Sequence, residues 1–216
     1  MSGREPLRIA VLASGRGSNL QAIMDAIGEG RLNGRVVLVI SDNPHARALE
    51  RARIAKVPTR LMLPSGYQSK ADYEKALAQC CQEYKAQVVA LAGFMRILGP
   101  TFLGHFPQRV VNIHPSLLPA FPGLHAQEQA LRHGVRFSGC TVHFVDEGVD
   151  SGPIILQAVV PVLADDDEET LSERILVQEH RIYPRALQLI AEGRMLVEGR
   201  RVYFTEMERS ERGSET

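Results

Sequence analysis

VVNIHPSLLP, at residues 110–119, has the pattern of a buried strand that ends abruptly. Val110 to Ile113 are apolar and β-branched except for Asn112, and the prolines that follow prevent further strand pairing or helix. Asn112 and His114 stand two residues apart, so both side chains project from one face of the strand. Polar groups at the carboxyl end of a strand lie where open α/β sheets bind ligands. The stretch therefore indicates either a ligand site or two side chains that only satisfy loop carbonyls.

Upstream of this stretch, apolar runs alternate with segments of helical periodicity. Near-continuous apolar runs indicate strands buried on both faces, and their alternation with helices indicates parallel strands joined by right-handed crossovers. The predicted strands are residues 8–13, 35–41, 58–63 and 88–92. The predicted helices are residues 20–27, 46–56 and 69–84, with a short one before Pro107.

Downstream of the stretch the pattern changes. Two apolar segments are separated by a loop of hairpin length, which indicates antiparallel pairing. In order, the predicted elements are a helix, two strands, a long helix bent at Pro184 and a hairpin, at residues 125–133, 138–144, 154–162, 168–193 and 195–204. We therefore predict one α/β domain over residues 1–204: a mostly parallel, Rossmann-like twisted sheet with helices on both faces and an antiparallel C-terminal addition. The polar residues 205–216 are predicted to be disordered.

The composition argues against several classes of protein. Lys and Arg number 25 and Asp and Glu number 25, and this zero net charge argues against a broad nucleic-acid surface. The sequence shows no basic or apolar leader and no apolar run that would cross a bilayer, so we expect a cytoplasmic protein. Three cysteines without CxxC spacing indicate unpaired thiols, and seven histidines show no ligand spacing. We therefore expect no metal.

The segment SGRGSN, residues 14–19, lies between the first predicted strand and the first predicted helix. Glycines permit a tight turn that brings backbone N–H groups to an anion at a helix N-terminus. A dinucleotide fingerprint would need a third small residue where Leu20 stands, and the Gly-Lys-Ser/Thr of a P-loop is absent. A single phosphate therefore fits better than a pyrophosphate. The alternative is a glycine turn that only connects two elements.

Two later stretches extend the candidate site. GFMRIL, residues 93–98, follows the fourth predicted strand and indicates an apolar slot with one cationic contact. A buried Met and Phe with Arg96 directed outward would give the same pattern. DEGVDSGP, residues 146–153, is an acidic loop that we expect to bring Asp150 near His114.

Asn112, His114 and Asp150 in one cleft, without an evident nucleophile, indicate direct transfer between two bound substrates. Asn112 would donate to a developing oxyanion, and protonated His114 would donate to the same oxygen or pass a proton. Asp150 would raise the pKa of His114 and hold the imidazolium. Ser116 is an alternative nucleophile, although no G-x-S-x-G elbow surrounds it.

Four motifs occur in the order found in a known family. They are SGRGSNLQ at residues 14–21, LAGFMRIL at 91–98, NIHPSLLP at 112–119 and DSGP at 150–153. Together they resemble the phosphoribosylglycinamide formyltransferases, the folate-dependent enzymes of purine synthesis, over residues 8–193. HPSLLP alone is typical of the wider formyltransferase superfamily, whereas the glycine turn and FMRIL make the resemblance specific.

This resemblance implies the formyltransferase fold and a formyl transfer from 10-formyltetrahydrofolate, as co-substrate, to the amino group of glycinamide ribonucleotide. The N-terminal half, about residues 1–100, would bind the phosphate, and residues 101–204 would bind folate and catalyse the reaction. The implied catalytic residues are Asn112, His114 and Asp150. The implied ribonucleotide contacts are Gly17, Ser18, Asn19 and Glu179.

The folate contacts that the resemblance implies are Lys70, Met95, Arg96, Ile97, Leu98, Asn112, Asp146, Glu147, Gly148, Val149 and Asp150. Lys70 stands where the family has an arginine, so this contact would keep the charge and lose the bidentate fork. The implied partners are the two small-molecule substrates, with neither nucleic acid nor membrane. The chain would be a monomer or a homodimer.

Three other interpretations compete. A formyltetrahydrofolate deformylase would carry an extra N-terminal regulatory domain, whereas the sheet here is expected to begin at Arg8. A methionyl-tRNA formyltransferase would need a C-terminal nucleic-acid-binding domain and a basic surface, and we expect neither here. A non-catalytic module that senses a nucleotide would use the glycine turn but leave the Asn112, His114 and Asp150 constellation without a reason.

Overall fold

The computed structural model describes residues 5–205, and its main body is a seven-stranded sheet in the order β3-β2-β1-β4-β5-β6-β7. The strands are β1 (Leu7–Leu12), β2 (Gly34–Ser41), β3 (Thr59–Leu61), β4 (Val88–Leu91), β5 (Val110–His114), β6 (Phe137–Phe144) and β7 (Ile154–Pro161). Strands β1 to β5 pair in parallel, and β6 is antiparallel to both β5 and β7. The predicted α/β fold with an antiparallel addition is confirmed. The predicted disorder concerns residues 205–216, and all of these except Thr205 lie outside the described residues.

Helices cover both faces of the sheet. Within the described residues the α-helices are α1 (Ser18–Gly28), α2 (Arg47–Ile54), α3 (Lys70–Glu83), α4 (Pro100–Leu103), α5 (Ala126–Arg132) and α6 (Glu168–Ala191). Successive side chains of a strand point to opposite faces. In β1, Ile9 and Val11 therefore belong to one apolar cluster, with residues of α1, α2, α5 and α6, whereas Ala10 and Leu12 belong to a second cluster, with residues of α3 and α4.

The strand order places a crevice beside β1. From β1 the chain proceeds outward through β2 and β3, and then returns to the other side of β1 to form β4 and β5. Open α/β sheets bind ligands where the strand order reverses, at the carboxyl ends of the strands. The glycine turn follows β1 and the GFMRIL segment follows β4, so the two predicted stretches meet at this crevice.

Tyr183 connects α6 to the sheet. Its hydroxyl lies 3.0 Å from the carbonyl oxygen of Leu91 in β4 and 2.9 Å from that of Val111 in β5. One hydroxyl hydrogen is shared between these two acceptors. Glu179 lies one helical turn before Tyr183 on the same side of α6.

Some element boundaries differ from the prediction. Strand β3 spans Thr59–Leu61 rather than 58–63, because Pro58 lacks an N–H for the ladder and Pro64 begins a 3-10 turn. The terminal hairpin, β8 (Met195–Glu198) and β9 (Arg201–Phe204), forms a separate two-stranded sheet. No helix within residues 5–205 has both the length and the apolar character of a membrane span.

Candidate active site

A cleft of about 590 Å³ opens at the carboxyl ends of β1, β4 and β5. The predicted site residues that line it are Gly17, Ser18, Asn19, Met95, Arg96, Ile97, Leu98, Asn112, His114, Asp146, Gly148, Val149, Asp150 and Glu179. Lys70 and Glu147 are not among the lining residues. The structure therefore gathers most of the selected side chains around one space.

Strands β5 and β6 place polar side chains beside the cleft, and the loop after β6 adds Asp150. Asn112 pairs directly with His143 across the antiparallel strands, so their side chains share a face. The carboxylate Oδ2 of Asp150 lies 3.2 Å from Nδ1 of His114. Its Oδ1 accepts a hydrogen bond from Nδ2 of Asn112 at 3.4 Å. The acidic loop therefore reaches His114, as the sequence led us to expect.

Asp150 is held in place from several sides. Its backbone has a φ of 50°, in the left-handed region that Asp adopts more readily than most residues. The backbone N–H of Gly123 donates to Oδ2 at 2.8 Å. Burial alone would raise the pKa of Asp150, but His143, the Gly123 N–H and His114 outweigh it and hold the pKa below its ordinary value. Asp150 is therefore a carboxylate at neutral pH.

The ring of His114 faces an acceptor on each side. Its Nε2 lies 2.8 Å from the carbonyl oxygen of Phe121, and its Nδ1 faces Asp150. Burial nevertheless lowers the pKa of His114, although the Phe121 carbonyl and Asp150 both raise it. Asp150 raises the pKa of His114 as predicted, but the expected net rise was wrong, because the side chain is buried and desolvation disfavours the imidazolium. A neutral ring has one N–H for two acceptors, so a second proton would satisfy both.

Several residues that line the cleft were not selected from the sequence, among them Arg16, Gly123 and His143. Arg16 lies inside the glycine turn, where only the glycines and the polar residues after them were assigned roles. Gly123 contributes a backbone group, which leaves no mark in the sequence. His143 stands in a predicted strand opposite Asn112, and Nδ2 of Asn112 lies 3.3 Å from its Nε2. Knowledge of the register between β5 and β6 would have identified His143 as a candidate site residue.

The glycine turn packs tightly against the start of α2. Gly17 has a φ of 70°, and a Cβ at this position would lie 2.7 Å from the Cα of Ala48. Nε of Arg51 donates to the carbonyl of Arg16 at 3.0 Å and so holds the turn from outside. Because α1 begins at Ser18, its first N–H groups have no intrahelical acceptor and are available to an anion.

A Gly17→Ala substitution is expected to weaken this turn. The methyl group meets the α2 backbone, and the left-handed conformation costs about 1–2 kcal/mol for a non-glycine residue. We expect a lower melting temperature in thermal unfolding and a KM for a phosphorylated substrate at least about tenfold higher, with the KM for the second substrate nearly unchanged. Gly15→Ala is the matched control, since a Cβ there meets nothing within 4 Å. Equal behaviour of the two variants would contradict the prediction.

Asn19 and Glu179 form a buried pair at the bottom of the cleft. Nδ2 of Asn19 donates to Oε2 of Glu179 at 2.7 Å. Burial raises the pKa of Glu179, and Asn19 and Arg16 partly offset this rise. Oδ1 of Asn19 is buried and has no hydrogen-bond partner within residues 5–205. The pair therefore offers acceptor oxygens that suit a ligand with N–H donors.

The loop after β4 has an apolar rim. Met95 is 72% exposed and Ile97 is 59% exposed, so the alternative of a buried methionine is wrong. The Met95 N–H donates to Oγ of Ser14 at 2.9 Å, which joins this loop to the glycine turn. Nε of Arg96 lies 2.5 Å from Oδ2 of Asp42, a nearly buried carboxylate. This ion pair fixes the arginine at one edge of the cleft.

Lys70 and Ser116 have structural partners of their own. Nζ of Lys70 lies 3.6 Å from Oε1 of Glu74, and Glu74 also accepts the Gly99 N–H at 2.7 Å. Ser116 is fully buried and its hydroxyl donates to the carbonyl of Ala120 at 2.5 Å. A buried hydroxyl that is already engaged does not fit the role of a nucleophile.

The thiols and potential metal ligands of the described residues form no further centre. Cys80, Cys81 and Cys140 are unpaired and buried. Burial raises the pKa of Cys81 to about 12, and that of Cys140 also to about 12. Between residues 5 and 205, no three His, Cys, Asp or Glu side chains are grouped to hold a metal ion.

Comparison with known proteins identifies relatives over most of the chain. Residues 7–187 match the formyl transferase family. The phosphoribosylglycinamide formyltransferase of Escherichia coli is 47% identical over 189 residues, which are 88% of this chain and 89% of that protein. The crystal structure of glycinamide ribonucleotide transformylase 1 from Symbiobacterium toebii superposes with a TM-score of 0.93 at 56% identity, covering 95% of this chain and 96% of that one.

Longer relatives contain this domain as one part. The trifunctional purine biosynthetic protein adenosine-3 of Drosophila melanogaster is 48% identical over 192 residues, which are 88% of this chain. The chain spans only 14% of the length of that relative. By contrast, the Escherichia coli and Symbiobacterium toebii enzymes are matched over 89% and 96% of their own lengths. The chain belongs to the formyl transferase family and, within it, to the phosphoribosylglycinamide formyltransferases.

Proposed function

We propose that the cleft transfers a formyl group from 10-formyltetrahydrofolate to the amino group of glycinamide ribonucleotide. The products are formylglycinamide ribonucleotide and tetrahydrofolate, and the reaction belongs to the de novo synthesis of purines (IMP). The observation that supports this most directly is the meeting of Asn112, His114 and Asp150 in the cleft that also contains the glycine turn. The proposed enzyme acts as a monomer or homodimer in the cytoplasm, where its cysteines stay reduced.

The ribonucleotide occupies the side of the cleft formed by α1 and α6. Its phosphate binds at the start of α1, on Gly17, Ser18 and Asn19, where the helix dipole favours an anion. Arg16 lines this side and forms no side-chain hydrogen bond or ion pair within the described residues, so its charge is available to the phosphate. Glu179 accepts from the glycinamide amine and, with Asn19, aims it at the formyl group.

The folate occupies the opposite side. Its flat heterocycle lies between residues 95–98 and the loop 146–150, where Met95, Ile97 and Val149 offer exposed apolar surface. Asn112 and Asp150 border the formyl group. The proposed contacts of Lys70 and Glu147 with folate rest on the family resemblance alone, because neither side chain lines the cleft.

The chemistry follows from the three catalytic side chains. The amine nitrogen attacks the formyl carbon, a C–N bond forms, and the carbonyl π electrons move to the oxygen, which Asn112 stabilises by donating a hydrogen bond. A lowered pKa leaves His114 mostly neutral near pH 7, so its ring takes the proton that the amine loses. Asp150 stabilises the resulting imidazolium. The oxyanion then re-forms the carbonyl as the C–N10 bond of the folate breaks, and N10 receives the proton held by His114, directly or through water, as tetrahydrofolate departs.

Formyl release in the presence and absence of the amine substrate tests the proposal. We expect the protein to release tetrahydrofolate from 10-formyltetrahydrofolate only when glycinamide ribonucleotide is added, followed by absorbance and by mass spectrometry of the formylated product. Free glycinamide, which lacks the phosphate, is the control and should react far more slowly. Release without any amine would indicate a deformylase, and no release would indicate a binding module; either result refutes the proposal.

A further inference from the structure

His143 is a buried ring whose nitrogens both face polar atoms. Its Nδ1 lies 2.8 Å from the carbonyl oxygen of Phe144, and a carbonyl only accepts, so Nδ1 carries the hydrogen. In the neutral ring Nε2 is then an acceptor, and it lies 3.3 Å from Nδ2 of Asn112. The same nitrogen is 3.6 Å from Oδ1 of Asp150, too far for a hydrogen bond in the neutral ring, although a protonated ring at this distance would stabilise the carboxylate.

The amide of Asn112 has both of these acceptors on one side. Distances from Nδ2 of 3.3 Å to His143 and 3.4 Å to Asp150, with 3.6 Å between the acceptors, give an angle of about 65° at the amide nitrogen. The two N–H bonds of an amide diverge by about 120°. When one N–H lies midway between His143 and Asp150, it serves both acceptors. In this orientation the other N–H points away from them and has no acceptor among residues 5–205.

We propose that His143 is a positioning residue, whose Nε2 fixes the orientation of the Asn112 amide so that its free N–H, and not its carbonyl, faces the formyl oxygen. This role rests on the proposed function, which supplies the formyl oxygen. The Phe144 carbonyl holds the required tautomer of His143. Without an acceptor at position 143, only Asp150 holds the amide, through a hydrogen bond that is weak at 3.4 Å.

Two substitutions distinguish the role of the acceptor nitrogen of His143 from that of the ring's size. His143→Phe keeps a ring of similar size but removes both nitrogens, whereas His143→Gln retains an acceptor that can reach Asn112. Removal of an oxyanion donor typically lowers kcat by about 10²–10³-fold, so its misorientation should lower kcat by about 10- to 100-fold. We expect this loss in His143→Phe, with both KM values within about twofold of wild type, and recovery of most of it in His143→Gln.

A double-mutant cycle with Asn112→Ala distinguishes positioning from general support. If His143 acts through Asn112, His143→Phe should cost less than about twofold in kcat once Asn112 is alanine. An equal loss in both backgrounds, an unchanged kcat in His143→Phe, or a His143→Gln variant as slow as the phenylalanine variant would overturn the role. Thermal unfolding checks folding, and His143→Leu replaces the phenylalanine variant if that one does not fold. An inactive wild-type protein would refute the proposed function instead.

Discussion

His114→Ala is expected to lower kcat by about 10²–10⁴-fold, the usual contribution of a general acid–base residue. The KM values for both substrates should change little, because the glycine turn and the loop after β4 bind them elsewhere in the cleft. Single-turnover measurement of formylated product gives the rate of the chemical step directly. Added imidazole should restore part of the activity, since the substitution leaves a ring-sized space beside the cleft.

The matched control for this prediction is His114→Gln. Glutamine can still donate to one of the two acceptors, the Phe121 carbonyl or Asp150, but cannot take up a proton. We expect it to fold as well as the alanine variant and to be nearly as slow. A kcat within about tenfold of wild type for both variants would exclude His114 as the group that takes the proton.

Asp150→Asn is expected to lower kcat on the order of 10⁴-fold, by analogy with the carboxylate that holds the histidine of a Ser-His-Asp triad. Asparagine tolerates the left-handed backbone and can still accept the Gly123 N–H, so the fold should persist. What is lost is the negative charge beside Nδ1 of His114. Circular dichroism of the variant would verify that the loss is chemical and not structural.

The pH dependence gives the sharper result for this variant. Asp150 raises the pKa of His114, so its removal lowers that pKa further. The limb of the kcat profile that reports His114 should therefore move to lower pH. The limb that reports Asp150, whose pKa already lies below its ordinary value, should disappear. An unchanged pH–rate profile would remove Asp150 from the mechanism.

The fold was predictable because its strands are nearly continuous apolar runs. Residues 8–13 and 35–41 have no other stable place than a sheet covered on both faces. Strand ends were less certain, as the short β3 shows, since prolines limit pairing there. The antiparallel pairing of β6 with β7 followed from a loop too short for a crossover. The antiparallel pairing of β5 with β6 did not, because the connection between them is long and contains α5.

The candidate site was predictable in part. Asn112 and His114 share a strand face by periodicity alone, and the acidic loop had the length to reach them. The lowered pKa of His114 was not predictable, because desolvation depends on packing by distant segments. Selecting His143 would have required the register of β5 and β6. Excluding Lys70 from the lining of the cleft would have required the direction in which the first turn of α3 points.

The Tyr183 hydroxyl has a kinetic consequence. It ties the turn of α6 next to Glu179 to the carbonyl of Val111, the residue immediately before Asn112. Glu179, proposed to hold the amine, and Asn112, proposed to hold the formyl oxygen, are therefore both positioned by the peptide group between Val111 and Asn112. Folding therefore fixes the relative position of these two groups before the substrates arrive, and the substrates need not order them on binding. Correct orientation of two reactants is worth roughly 7–11 kcal/mol in well-oriented systems.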